Sequence, residues 1–200
     1  AGGSEALTGA VEGAEDDENA GRAAVGVHGL GSDDVLIALA ASGRTPFTCA
    51  VLEEARDRGA LTVGMANNPD TRLLANASHP ILADTGAEVI AGSTRMGAGT
   101  AQRAALTMLS SAAMIALGFV HQGRMVAMRP TNAKLRDRAA AMVAELAGVN
   151  ESQAEAALAR SGGDISIAVL AARGMQIGDA ARLLARHEGR LAAALKEGTR

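Results

Sequence analysis

Val35-Leu36-Ile37-Ala38-Leu39-Ala40-Ala41-Ser42-Gly43-Arg44-Thr45-Pro46 is the stretch that decides the fold class. It opens as an unbroken apolar run, bounded by Asp33-Asp34 before and Ser42-Gly43 after. Short apolar runs of this kind suit strands covered on both faces, as in a parallel sheet. Pro46 follows where a helix tolerates proline best, with Thr45 ahead of it as a possible N-cap. Phe47, Ala50, Val51 and Ala55 then recur at helical spacing, opposite Glu53, Glu54, Arg56 and Asp57, and Gly59 reads as the stop. Working outward, 60–65 reads as the next strand, Asn67-Asn68-Pro69-Asp70 as a turn, 73–77 as a short helix and 80–82 as a further strand. Strand and helix alternate, which predicts an α/β fold with a parallel sheet flanked by helices.

From about Thr131 no further strand signal appears. Asn150 and Gln153 have capping-box spacing and open a helix over 152–160. Ser161-Gly162-Gly163-Asp164 interrupts the chain and restarts it over 165–173, and Gly174 closes that segment. Segments 179–187 and 190–196 complete a small all-α appendage. The expected organisation is one α/β domain over 1–132 and a helical subdomain over 133–200.

Composition narrows the functional classes. Tyr and Trp are absent and Phe occurs only twice, so aromatic platforms for single-stranded nucleic acid are not available. The formal net charge of −3, with scattered basic residues, gives no footprint for DNA or RNA. The single cysteine, Cys49, rules out an intrachain disulfide, fits a reducing cytosol, and reads as a buried structural thiol. Segment 104–120 is uncharged and largely apolar but short of the ~20 residues a bilayer requires. It is expected to be a buried helix at a subunit interface rather than a membrane span. No signal peptide is apparent, and the abrupt start at Ala1-Gly2-Gly3 suggests that further sequence lies upstream.

Two turns carry the functional argument. A turn between the carboxyl end of a parallel strand and a helix N-terminus lies where open α/β sheets bind ligands, and unpaired N–H groups there favour an anion. Ser42 and Thr45 add hydroxyls, Gly43 allows close approach and Arg44 offers charge. The plainer alternative is a tight turn with a capped helix. Ser93, Thr94 and Arg95 repeat the logic ahead of the long apolar helix, with the same alternative. Neighbouring strands would bring both turns to one sheet edge, where a single phosphate could be gripped from two sides. The acidic run Glu12-Gly13-Ala14-Glu15-Asp16-Asp17-Glu18 is ordinarily a solvated face or a helix start. Alternatively, Glu12 and Glu15 face a sugar, hydrogen-bonding its hydroxyls and exchanging protons with it. Glu88 either touches ligand or pairs with a helix, and Lys134 stands at the domain junction or in solvent. His28, His79, His121 and His187 lack metal-ligand spacing.

The segments Ala10-Val11-Glu12-Gly13-Ala14-Glu15-Asp16, Ala40-Ala41-Ser42-Gly43-Arg44-Thr45-Pro46, Gly92-Ser93-Thr94-Arg95-Met96, Ala98-Gly99-Thr100-Ala101-Gln102 and Thr131-Asn132-Ala133-Lys134-Leu135 occur in an order that resembles the N-acetylmuramic acid 6-phosphate etherases. The resemblance covers essentially the whole chain. It implies a flavodoxin-like, three-layer sugar isomerase (SIS) domain followed by a ubiquitin-associated-like helical subdomain.

It further implies a cytoplasmic homodimeric lyase acting on a phosphorylated amino sugar without metal or redox cofactor. That lyase would yield N-acetylglucosamine 6-phosphate and D-lactate by elimination and then hydration. By position, Glu15 matches a catalytic glutamate and Glu12 a sugar contact. Ser42 and Ser93 match phosphate or sugar binders, with Gly43, Thr45 and Thr94 beside them. The family's other catalytic glutamate, the proton donor to lactate, falls ahead of Ala1. Gly97 stands in place of a usual Lys and Ala127 in place of a usual Asp. The glucokinase regulatory protein is a related fold that binds phosphosugars without turnover, so a non-catalytic phosphosugar sensor is the alternative reading.

Overall fold

The computed structural model describes residues 1–198. They divide into two compact units, the first Ala1–Thr107 and the second beginning at Met108.

In the first unit, β1 (Val35–Leu39), β2 (Leu61–Ala66) and β3 (His79–Leu82) form a parallel sheet in the order β1-β2-β3. Register is set by pairs such as Leu39 with Met65 and Ala66 with Leu82. The α/β class with a parallel sheet, read from the 35–46 stretch, is the observed one. β2 lies between β1 and β3, so the strands that lead to the Ser42 and Ser93 turns are not neighbours as expected. α1 (Glu18–Val27), α2 (Pro46–Asp57) and α3 (Arg72–Asn76) supply the helices. Ala38 and Ala40 pack with Cys49, Leu52 and Leu73, while Val25, Ala55 and Ala60 close a second small core. Alanine and glycine stand among these larger side chains where helix and sheet approach closely. A Cβ on Gly64 would lie 2.8 Å from the Ala77 Cβ and 2.9 Å from the Leu73 carbonyl oxygen.

A polar lock joins the three helices. Arg72 donates to Glu53 at 2.8 Å from both Nε and Nη2, and also pairs with Glu18. Arg22 reaches the same two carboxylates at 3.4 Å. Glu18 and Glu53 are both held below the ordinary carboxylate range, chiefly by hydrogen bonding to Arg72.

α4 (Gly97–Ala116) begins earlier and ends sooner than the 104–120 segment suggested. Its only buried residue is Ala98, whereas Met108 is 65% and Ile115 59% exposed. Within this chain its apolar side chains are covered only in part: Leu106 and Met114 are half-buried, and most of the others are exposed. No described helix is long and apolar enough to cross a membrane.

In the second unit, β4 (Val120–His121) and β5 (Arg124–Met125) form a hairpin that the sequence reading missed. Gln122 and Gly123 both have positive φ, as the right-handed twist of a tight hairpin demands. Then come α5 (Ala133–Ala147), α6 (Glu151–Arg160), α7 (Ile165–Ala172), α8 (Ile177–Arg186) and α9 (Leu191–Gly198). The Asn150–Gln153 capping box is present with both reciprocal bonds. Val143, Ala154, Ile165, Val169, Leu183 and Leu191 share one core.

Candidate functional site

The carboxyl ends of the three strands present three successive turns on one edge of the sheet. After β1, Gly43 takes φ +65° and its N–H donates to the Ala40 carbonyl at 2.9 Å. No side chain fits there, because a Cβ would lie 2.3 Å from the Thr71 Oγ1. The Gly43 carbonyl accepts from the Leu73 N–H at 3.1 Å, and the Cys49 thiol lies 3.8 Å away. Cys49 is buried and its pKa pushed up by burial, so it is the structural thiol expected.

Ser42 is exposed, and its Oγ accepts from the Arg44 N–H at 3.2 Å, leaving the hydroxyl proton free to be donated. Thr45 occupies the N-cap position of α2, but its side chain makes no capping bond. The capping alternative therefore fails for this hydroxyl. Arg44 is exposed and enters no ion pair among the described residues.

The acidic run splits between its two readings. Asp17 caps α1, accepting from the Ala20 N–H at 2.9 Å, and Glu18 joins the ion-pair lock. Glu12 and Glu15 lie ahead of the helix with exposed side chains. The Glu15 carbonyl accepts the Phe47 N–H at 3.0 Å. That bond fastens Glu15 to the first turn of α2, directly after the Ser42 turn. With Pro46 lacking an N–H and that of Phe47 used, the N–H groups of Ser42, Thr45 and Thr48 are the turn's remaining donors among the described residues.

After β2 comes a residue the sequence reading treated only as part of a turn. Asn67 is buried, donates from Nδ2 to the Ala83 carbonyl at 2.6 Å and accepts at Oδ1 from Gln102 Nε2 at 2.8 Å. Its N–H donates to the Ala41 carbonyl at 3.0 Å, which Asn68 Nδ2 also reaches at 2.9 Å. Asn67 thus ties the backbone beside Ser42 to the segment leaving β3 and to α4. A buried Asn between two turns was the available signal; its long-range partners were not legible.

After β3 the chain runs to the Ser93 turn. The Ser93 N–H donates to the Ile90 carbonyl at 2.9 Å, and the Thr94 carbonyl accepts from the Gly99 N–H at 2.8 Å. Glu88 accepts from the N–H groups of Gly97 and Ala98, each at 2.9 Å. With the Thr100 N–H directed to the Met96 carbonyl at 3.3 Å, the opening amides of α4 are all engaged. The sequence expectation that this helix start offers free amides to an anion is corrected: a carboxylate of the chain takes two of them and backbone carbonyls the other two. Neither Ser93 nor Thr94 caps the helix through its side chain, and Arg95 is exposed. Of the two roles left open for Glu88, pairing with a helix is the one observed.

Lys134 lies in the second unit, exposed in the first turn of α5, where Asn132 caps by accepting the Leu135 N–H at 2.9 Å. A cavity of about 980 Å³ in this unit is lined by Val126, Met128, Arg136, Glu155 and Ile165 among others, and by none of the candidate sugar-binding residues. No group of three or more His, Cys, Asp or Glu among the described residues is placed to hold a metal.

A parallel sheet flanked by helices, with turns at the carboxyl ends of its strands, defines the α/β class of this unit. Residues 20–112 match the SIS domain model. The chain is 48% identical to the N-acetylmuramic acid 6-phosphate etherase of Deinococcus radiodurans, over 99% of this chain and 65% of that protein. It is 43% identical to those of Rubrobacter xylanophilus and Salmonella typhimurium, over 100% and 98% of this chain and 66% of each relative. The chain thus carries an SIS domain and is similar, over nearly its whole length, to proteins named N-acetylmuramic acid 6-phosphate etherase. It spans about two thirds of the length of these relatives, 65% of the first.

Proposed function

We propose that this chain binds a sugar 6-phosphate at the carboxyl edge of β1–β3 and cleaves the D-lactyl ether of N-acetylmuramic acid 6-phosphate. The products are N-acetylglucosamine 6-phosphate and D-lactate. The observation that carries this reading is the anchoring of Glu15 to the first turn of α2 through the Phe47 N–H, next to the Ser42 turn. The names of the relatives support it.

In the open-chain sugar the C1 aldehyde acidifies the C2 proton. Glu15 acts as the base that removes that proton. The electron pair forms the C2–C3 double bond as the C3–oxygen bond breaks and lactate departs with its ether oxygen, protonated to D-lactate. Water then adds across the double bond, hydroxyl to C3 and proton to C2. The net change is consumption of one water and release of D-lactate. What the protein supplies is positioned proton transfer and a firm grip on the distant phosphate. Ser42, Thr45, Ser93 and Thr94 provide hydroxyl donors, Gly43 provides close backbone approach, Arg44 and Arg95 provide charge, and Glu12 accepts from sugar hydroxyls.

The apolar face of α4 supports a homodimer as part of the same reading, since Met108 and Ile115 are spaced to share one helix face and both are exposed. A cytosolic setting accords with the free Cys49.

The test is release of D-lactate from N-acetylmuramic acid 6-phosphate by purified full-length protein. Release above the rate of a Glu15→Ala variant supports the assignment. Binding of sugar 6-phosphates with no lactate release would replace it with the sensor reading.

A further inference from the structure

Segment 89–96, which carries Ser93 and Thr94, has almost no apolar anchorage. Val89 is 87%, Ile90 62% and Met96 55% exposed. A loop of this kind, without burial, would ordinarily sample many conformations, because nothing offsets its backbone entropy. What holds it is polar: the Ser93 N–H donates to the Ile90 carbonyl within it, and further bonds fasten its ends. The Thr94 carbonyl is fastened to the Gly99 N–H, and the Glu88 carboxylate spans the N–H groups of both Gly97 and Ala98. Gly97 permits that approach, since even a Cβ there would come to 3.3 Å from Glu88 Oε2. The two amides hold the Glu88 carboxyl below its ordinary range, so the clamp is ionised at neutral pH.

We propose that Glu88 is a positioning residue for phosphosugar binding: its carboxylate closes the 88–97 loop onto α4, presenting the Ser93 and Thr94 hydroxyls in a fixed arrangement while keeping the helix amides away from the phosphate. This rests on the sugar-phosphate reading of the edge above. The arrangement divides the labour between the two turns. At α2 the donors include backbone amides, whereas at α4 they are side-chain hydroxyls, because the amides are spent on Glu88. A ligand anion at the second turn therefore depends on where the loop places two short side chains, and Glu88 decides that without touching the ligand.

The experiment compares wild type, Glu88→Ala, Glu88→Gln, Ser93→Ala and the Glu88→Ala/Ser93→Ala double variant. Affinity for N-acetylglucosamine 6-phosphate is measured by calorimetry, and KM and kcat by lactate release. Glu88→Ala is expected to weaken binding and raise KM by about tenfold or more while kcat falls less than about threefold. Glu88→Gln should fall between, because an amide oxygen accepts but its NH2 cannot. In the Ser93→Ala background the further loss on removing Glu88 should shrink to within about threefold, since Glu88 acts through that turn. Should Glu88→Ala fail to fold, Glu88→Gln and its double variant with Ser93→Ala carry the comparison.

Binding within twofold of wild type in the Glu88 variants would show a simple helix cap and overturn the proposal. Tighter binding would also overturn it, by showing Glu88 to compete for the anion's seat. So would an undiminished loss in the Ser93→Ala background. Wild-type protein that binds but releases no lactate ends the etherase reading and leaves the affinity comparison intact; wild-type protein that binds no sugar phosphate overturns both.

Discussion

The main-chain carbonyl of Glu15 and the N–H of Phe47 are joined by a hydrogen bond of 3.0 Å. The residue is thereby fixed by its backbone, and its exposed carboxylate takes no part in holding the fold. Structure and chemistry at this position can be separated by substitution.

Glu15→Gln should accordingly abolish lactate release, by roughly 100-fold or more for loss of the base, while the unfolding midpoint barely moves. Kinetics paired with thermal melts check this. A large drop in stability would mean that the side chain is structural.

Gly43→Ala should be far more damaging than its size suggests. The left-handed φ penalises any Cβ, and this one would overlap the Thr71 side chain at 2.3 Å from Oγ1. A loss of about 2–4 kcal/mol is expected, measured by denaturant unfolding. Thr71→Ala in the same chain should recover part of it.

Thr71 itself is buried with its hydroxyl unpartnered. Thr71→Val keeps the shape and removes the stranded polar group. The expected outcome in the same unfolding assay is no loss of stability, or a gain of up to about 1 kcal/mol.

The Arg72 lock has a defined pH signature. Glu18 and Glu53 are held below the ordinary carboxylate range in the folded protein. Their stabilisation is therefore complete above the unfolded value, about 4.3 for Glu, and is lost as pH falls through the lower folded values. Arg72→Met should cost roughly 1 kcal/mol at pH 7, because the pairs are partly exposed. The gap in melting temperature between wild type and variant should close on acidification from pH 6 to pH 3.

Asn67→Ala should loosen the segment leaving β3 and its tie to α4, costing about 1–3 kcal/mol because it strands the Ala83 carbonyl and the Gln102 amide, while the backbone bond to Ala41 is kept. Phosphosugar affinity should fall with it. Asn67→Asp should be worse, since a carboxylate oxygen would face the Ala83 carbonyl.

Residues 35–46 could be read directly because each signal in them is local. The apolar run, the glycine of the turn and the proline at the helix start act within a few residues of one another. The Asn150–Gln153 box was legible for the same reason. The β4–β5 hairpin escaped because strands of two residues have no periodicity to detect. Thr45 was expected as a cap by position, yet its side chain makes no capping bond.

The order of residues along the chain determined the α/β class, the helical C-terminal region and the small set of hydroxyl, glycine and carboxylate side chains available to a ligand. Propensity, periodicity and turn chemistry are short-range effects, and the chain states them openly. Only the tertiary structure decided that Glu88 fills the start of α4, that Asn67 joins the turns on either side, and that Phe47 holds Glu15. Each of those bonds closes a loop whose partners are not fixed by sequence spacing. Buried amides and carboxylates must find a partner somewhere, but which partner depends on the packing of the strands between them.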